Sequence, residues 1–295
     1  MKVLVTGGMG FIGRHVVNNL RDKGHEVTIF DRHSNSKIWR DDVNFYLGDI
    51  KDKEAVSDAV GKHDGAINLA GILGTSEMVS TPIESVDVNI GGAVNFYEAC
   101  KRFDKKGVQI TVGNIAWFNS YAITKYCAER FGVMYNQESG TKIAIVRGLN
   151  VYGEHQKHAP IRKAVPNFII QALRGEDITV FGDGMQLLDL IYAGDTAEIL
   201  VRALEVDHGC YNQVMDAGSG DLFTCKHLVE KIIELSGSSS KIAYEPMRSG
   251  EPVRSITKGD PTTLRPLGYI PNTPLEEGLK KTIDWYKENY DWRKH

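Results

Sequence analysis

Short apolar runs alternate with longer amphipathic stretches through the first half of the chain. Residues 3–5, 27–30, 43–47, 66–69, 108–112 and 143–146 are runs of strand length enriched in β-branched side chains, the pattern of strands buried on both faces of a parallel sheet. Between the first two runs, Ile12, Val16 and Leu20 recur at i, i+4 and i+8, while Arg14, Asn18, Arg21 and Asp22 face away and Gly24 stops the turn. That spacing predicts an amphipathic helix over 11–23. The β-α unit recurs about six times. Because such crossovers are right-handed and must cover both sheet faces, the pattern predicts an α/β fold, with a doubly wound parallel sheet of Rossmann type over residues 1–150.

After residue 150 the alternation weakens, helices interleave with shorter strands, and most of the prolines appear. A smaller mixed α/β substrate lobe is expected over residues 151–295, with later segments able to return to the first domain. Its last helix carries a start signal, Thr273 as N-cap, Pro274 at the first position and Glu276 completing a T-x-x-E box, followed by an inward stripe of Leu275, Leu279, Ile283 and Tyr286.

Composition narrows the function classes. With 42% hydrophobic and 25% charged residues, the chain sits near the globular average, which argues against disorder, collagen and repeats. A formal charge of -3 offers no broad basic field for nucleic acid or anionic lipid. Cys100, Cys127, Cys210 and Cys225 are widely spaced and lack a C-x-x-C pair or a zinc-ligand pattern, so they read as reduced, mostly buried thiols, and no metal site is expected. The opening apolar run, in MKVLVTGG, is far short of a signal core or a span of about 20 residues. A cytoplasmic protein is expected.

The chemistry begins directly after the first strand, at Gly7-Gly8-Met9-Gly10-Phe11-Ile12-Gly13, a G-x-x-G-x-x-G that opens a helix. Gly7 allows the tight turn, Gly10 lets the backbone approach a pyrophosphate, and Gly13 lets helix pack on strand, with the phosphates at the positive helix end. Asp31 ends the second strand, where a carboxylate accepts from both adenosine ribose hydroxyls and repels a 2'-phosphate; this favours NAD over NADP, although Arg32 stands beside it. Asp49, after the third strand, reads equally as a partner of the adenine amino group or as a helix N-cap. Further on, Tyr121 and Lys125 fall at i and i+4, one face of a helix, so that phenol and ammonium enter the same cleft. A free phenol titrates near pH ~10, so a phenolate working near neutrality needs about 4 kcal/mol of preferential stabilisation. A lysine and a positive nicotinamide ring are the right kind of source.

Together these residues resemble the extended short-chain dehydrogenases/reductases, in particular the NAD-dependent nucleotide-sugar epimerase/dehydratase group. The resemblance covers nearly the whole chain. It runs through Gly48-Asp49, Asn68-Leu69-Ala70-Gly71, Asn89 to Asn95, Tyr121/Lys125, Asn150-Val151-Tyr152-Gly153, Phe181-Gly182-Asp183-Gly184 and Arg248-Ser249-Gly250-Glu251. It implies that Phe11, Ile12, Arg32, Ile50, Leu69, Ala70 and Gly71 line the NAD site with Gly7, Gly10, Asp31 and Asp49. It also implies that the second lobe takes a nucleoside diphosphate sugar, with Asn150, Asn167 and Arg248 near the diphosphate and Phe181 beside them. Without it, Arg248 reads as a solvated loop charge.

Three departures from the family pattern stand out. Asn114 occupies the place of a Ser or Thr at the end of the strand before the tyrosine; it donates a hydrogen bond but is a poor proton relay. Only residues 115–120 separate it from Tyr121, where relatives place a longer loop, leaving Trp117 and Phe118 as partial covers or packing residues. Leu188 stands in Gln186-Leu187-Leu188-Asp189 where relatives have a phosphate-binding Arg.

The resemblance implies that Tyr121, supported by Lys125 and Asn114, takes a proton from a sugar hydroxyl while NAD accepts the hydride. The leading expectation is 4-epimerisation of a nucleoside diphosphate hexose through a keto intermediate. A 4,6-dehydratase is disfavoured because Ile115-Ala116 stands where its acid/base pair would be. The alternatives are a nucleotide-sugar keto-reductase or dehydrogenase, which would consume NAD(H) stoichiometrically, and a non-catalytic NAD-binding protein. Relatives pair as homodimers through helices corresponding to residues 84–103 and 120–136, so a homodimer is expected.

Overall fold

Strands β1 (Lys2–Thr6), β2 (Glu26–Asp31), β3 (Val43–Leu47), β4 (Gly65–Asn68), β5 (Lys106–Val112) and β6 (Ile143–Gly148) form where the apolar runs place them. The computed structural model describes residues 1–33, 42–80, 82–206 and 209–291. Short strands follow: β7 (Asn150–Tyr152), β8 (Ile178–Phe181), β9 (Leu187–Leu188), β10 (Leu190–Tyr192), β11 (Val214–Ala217), β12 (Phe223–Thr224), β13 (Ile242–Glu245) and β14 (Ile256–Thr257). The main sheet is parallel throughout, in the order β11-β6-β5-β4-β1-β2-β3. Its edge strand β11 comes from beyond residue 150 and pairs Met215 with Val146.

Helices α1 (Phe11–Asp22) and α2 (Lys53–Gly61) follow β1 and β3, and α3 (Pro82–Ser85) runs through a π turn into α4 (Gly92–Arg102). Then come α5 (Ser120–Ser139), α6 (Ala164–Arg174), α7 (Ala193–Glu205), α8 (Cys225–Ser236) and α9 (Leu275–Asn289). Alternate side chains of one strand enter opposite cores. Val3 and Val5 pack with Val16 and Leu20 of α1 and Ile199 and Leu200 of α7, whereas Leu4 packs with Val56 of α2, Phe96 of α4 and Ala128 of α5. The sheet is therefore covered on both faces, as continuous apolar strands require. A third core joins α6, α8 and α9 through Phe168, Ile169, Leu228, Ile232, Leu279 and Ile283. Each such side chain contributes about 1.5–3 kcal/mol by leaving water.

The start of α9 differs from the local reading. Leu275, Leu279, Ile283 and Tyr286 are buried as the stripe predicts, but Pro274 is the N-cap and no side chain caps the helix. The Thr273 amide donates instead to the buried Asp195 carboxylate at 3.2 Å, a tertiary contact that displaces the capping box. Cys100, Cys210 and Cys225 are buried, Cys127 is partly exposed, and all four are free thiols. Among the described residues no helix is long and apolar enough to cross a membrane.

The two lobes meet at Asp189, between β9 and β10, which is fully buried. Its Oδ1 accepts from the Ser219 amide (2.7 Å) and hydroxyl (2.8 Å), and its Oδ2 from the amides of Gly220 (3.0 Å) and Gly259 (2.9 Å). Its backbone carbonyl accepts from the Asn150 amide and side chain at 3.2 and 3.0 Å. One carboxylate thus fixes the exits of β11 and β14, while its own peptide holds β7. Asp189→Ala leaves several donors unpaired, each costing about 1–3 kcal/mol. Urea denaturation is expected to show a loss of at least about 3 kcal/mol, and an unchanged midpoint would contradict this role.

Candidate functional site

A cleft of about 550 Å³ opens between the carboxyl ends of the sheet strands and the second lobe, and every residue expected to bind cofactor or substrate or to act in catalysis lines it. At one end the chain turns sharply after β1. Gly7 takes φ +68° and its carbonyl accepts from the Gly10 amide at 2.9 Å. A Cβ on Gly7 would lie 2.8 Å from the Ala70 amide, so only glycine lets this turn rest on the backbone after β4. A Cβ on Gly13 would lie 2.5 Å from the Gly7 carbonyl, so α1 is pressed against the turn. Helix α1 starts at Phe11 behind Gly10 with no side-chain cap and no acid in its first turn. Its first amides remain available to an anion, at the positive end of the helix dipole.

Asp31 is oriented by the chain itself. Its two carboxylate oxygens accept from the amides of Met9 and His33, each at 3.2 Å. Asp49 resolves one of the open alternatives, because the N-cap of α2 is Asp52, which accepts from the amides of Glu54 and Ala55. Asp49 accepts from the Lys51 amide at 2.9 Å and lines the cleft with Arg32, Ile50, Leu69 and Gly71. These residues suit a dinucleotide: an uncapped helix end for pyrophosphate and a prearranged carboxylate for a ribose.

At the centre stand Tyr121 and Lys125, one turn apart on α5. Asn119 caps this helix by accepting from the Ala122 amide (2.9 Å), and its side-chain N–H reaches the Gly250 carbonyl of the second lobe (2.9 Å). The same residue therefore sets where α5 begins and ties it across the cleft. Burial pushes the Tyr121 phenol well above its usual range and pulls the Lys125 ammonium down to about 8. The protein alone thus opposes the phenolate.

Asn114 closes the turn after β5, its carbonyl accepting from Trp117 at 3.1 Å. A Cβ on Gly113 would lie 2.2 Å from Leu149, which explains the missing side chain there. Thr111, the one hydroxyl residue of β5, donates to the buried Glu129, which also pairs with Arg147. Trp117 lines the cleft, while Phe118 is exposed.

At the far end Asn150 donates to the Asp189 carbonyl, and the Asn167 amide nitrogen is spent on the carbonyls of His158 (3.2 Å) and Lys163 (2.8 Å). Arg248 is no solvated loop charge. It pairs with Glu251 and, at 3.8 Å, with Glu77, and its guanidinium lies 5.3 Å from the centre of the Phe181 ring. Arg162 stands 5.6 Å from the same ring. Leu188 lines the cleft with no charge at its position. Sequence reasoning missed Asn119, Arg162 and Lys163. The Arg162-Lys163 pair carried one legible signal, two cations at a helix start, where the dipole disfavours them.

The chain is similar to known proteins over nearly its whole length. The family model described as NAD dependent epimerase/dehydratase matches residues 3–114 and 108–218. A UDP-N-acetyl-alpha-D-glucosaminuronate decarboxylase of Bacillus cytotoxicus is 31% identical, over 97% of this chain and 98% of the relative. The UDP-glucose 4-epimerase of Thermotoga maritima, solved with UDP-glucose, superposes with a TM-score of 0.89 at 28% identity, covering 98% of this chain and 99% of that one. The UDP-glucose 4-epimerase of Thermus thermophilus, solved with NAD, gives 0.88 at 27% identity, covering 98% and 100%. This chain belongs to the NAD-dependent epimerase/dehydratase family.

Proposed function

We propose that the chain binds NAD and epimerises a nucleoside diphosphate sugar at C4 through a keto intermediate. The observation that carries this reading is one cleft that holds the glycine turn and Asp31 at one end, Tyr121 and Lys125 at its centre, and Arg248 at the other end. The first turn of α1 would hold the pyrophosphate and Asp31 the adenosine ribose; Asp49 and Ile50 would flank the adenine, and Lys125 the second ribose. When bound, NAD supplies a hydride acceptor that can return the hydride to either face of the same carbon.

Tyr121 would take the proton from the C4 hydroxyl and give it back after the keto sugar has turned. Lys125 lowers the cost of the phenolate by its charge, and Asn114 donates a hydrogen bond to the sugar oxygen, holding it without relaying its proton. Asn150, Asn167, Phe181 and Arg248 would contact the nucleoside diphosphate.

The Bacillus cytotoxicus relative favours a second reading. If the sugar carries a carboxylate on C5, a ketone at C4 makes a β-keto acid; the C–C bond then breaks, CO2 leaves, and the electron pair passes to the enolate for protonation. Product mass separates the readings: an epimer keeps its mass, and a decarboxylated product lacks CO2.

Four free cysteines fit a reducing compartment such as the cytoplasm. Exposed Ile83, Val86, Ile123, Phe131 and Met134 fit a homodimer paired through α3, the π turn that follows it and α5.

Two outcomes test the mechanism. Tyr121→Phe is expected to leave NAD affinity intact and lower turnover by about 10²–10⁴; unchanged turnover removes Tyr121 from the mechanism. Lys125 is charged below about pH 8 and loses its charge as pH rises through that value. The kcat/KM profile should therefore fall on the alkaline side near pH 8, and Lys125→Met should abolish that limb together with most of the rate. A profile still rising past pH 9 in the wild type would contradict the role of the Lys125 charge.

A further inference from the structure

A second lysine faces the catalytic tyrosine. Lys163 lies deep in the protein at the wall of the cleft, and its ammonium stands 5.8 Å from the centre of the Tyr121 ring, reaching it from the second lobe while Lys125 lies on α5 itself. Among the described residues this ammonium makes no hydrogen bond or ion pair. Its three donors border the open cleft, where a ligand can take them. Lys163 is also the N-cap of α6, where it caps nothing, in a helix whose first turn has no acid. A cation there works against the helix dipole, and a Ser or Asp would stabilise the helix better. Two independent local costs meet in one side chain, and both are relieved by an anion.

The nearby charges say which end of a substrate that anion belongs to. Of the two carboxylates closest in influence to Lys163, Glu251 is engaged by Arg248 and the Thr75 hydroxyl, and Glu77 meets Arg248 through Oε1 at 3.8 Å; neither takes a hydrogen bond or ion pair from Lys163. Arg248 and Arg162 gather at the Phe181 ring, whereas the Lys163 ammonium stands over the Tyr121 ring. Lys163 instead belongs with Tyr121, where the proposed function places the sugar ring.

We propose that Lys163 recognises a carboxylate on the sugar, and that the substrate is a nucleoside diphosphate hexuronate rather than a neutral hexose. This inference rests on the reading of the cleft as a nucleotide-sugar site with the ring at Tyr121. A carboxylate on C5 is adjacent to C4, so a cation beside the phenol is suitably placed for it. The ion pair would form in a site shielded from water, where a charge-assisted hydrogen bond discriminates most strongly.

The test is calorimetric titration of the NAD-loaded protein with UDP, UDP-glucose and UDP-glucuronic acid. The wild type is expected to bind UDP-glucuronic acid about ten- to a hundredfold more tightly than UDP-glucose. Lys163→Met should abolish that preference while keeping the affinity for UDP and UDP-glucose, and Lys163→Arg should retain most of it. Equal affinity of the wild type for the two sugars overturns the inference and leaves the nucleotide-sugar reading standing. Lys163→Met weakening UDP as much as UDP-glucuronic acid overturns it too, because the lysine would then hold the diphosphate. Failure of all three ligands to bind overturns the reading of the cleft and the inference with it.

Discussion

The Asp189 carboxylate accepts four hydrogen bonds from three residues in two separate loops, in a place with no access to water. Its position governs how the second lobe stands over the sheet. The loop leaving β11 and the loop leaving β14 both end on its oxygens, and β7 pairs with β10 directly beside it. Gly218 and Gly259 are glycines for the same reason, since a Cβ would come within 2.7 and 3.3 Å of Oδ2. The carboxylate takes the place of a covalent tie between the loops that leave β11 and β14.

Within this frame the electrostatics of the site are unbalanced, and the imbalance has a chemical sense. Burial works against charge on both Tyr121 and Lys125, and Lys163 adds a further ammonium that the same burial disfavours. On the proposed reading, a phenolate at Tyr121 and a carboxylate on the sugar would each face a lysine, and the nicotinamide would add a further positive charge that favours the phenolate. Remove any of them and the remaining charges stand unpaired in a shielded cavity, which costs more than it would in water. On the proposed mechanism, proton transfer by Tyr121 would be confined to the loaded cleft.

Much of this was legible in the sequence, for physical reasons. The strands and α1 announce themselves because burial on both faces or on one stripe imposes a local period. Gly7, Gly10, Gly13 and Asp31 stand out in the sequence because a close backbone approach and a ribose partner need those residue types at that spacing, and the structure brings all four to one end of the cleft. Tyr121 and Lys125 were found because helical geometry turns i and i+4 into one face. What escaped depends on contacts distant in the chain. The β11 strand has only four residues and no period of its own. Asp189 looks like any acid until its donors, 30 and 70 residues away, are in place. Thr273 satisfied every local rule for an N-cap and yielded to Asp195. Lys163 reads as a surface charge until the fold carries it to the tyrosine.

The central claim is that the cleft built by the glycine turn, Asp31 and the Tyr121–Lys125 helix is a tight NAD site for a cycle that returns its hydride. The most direct measurement is to saturate the purified protein with an equimolar mixture of NAD and NADP, remove unbound nucleotide, denature it, and identify what is released by mass. The account predicts NAD, close to one per chain, with little NADP. NADP in its place, or no dinucleotide at all, would contradict it.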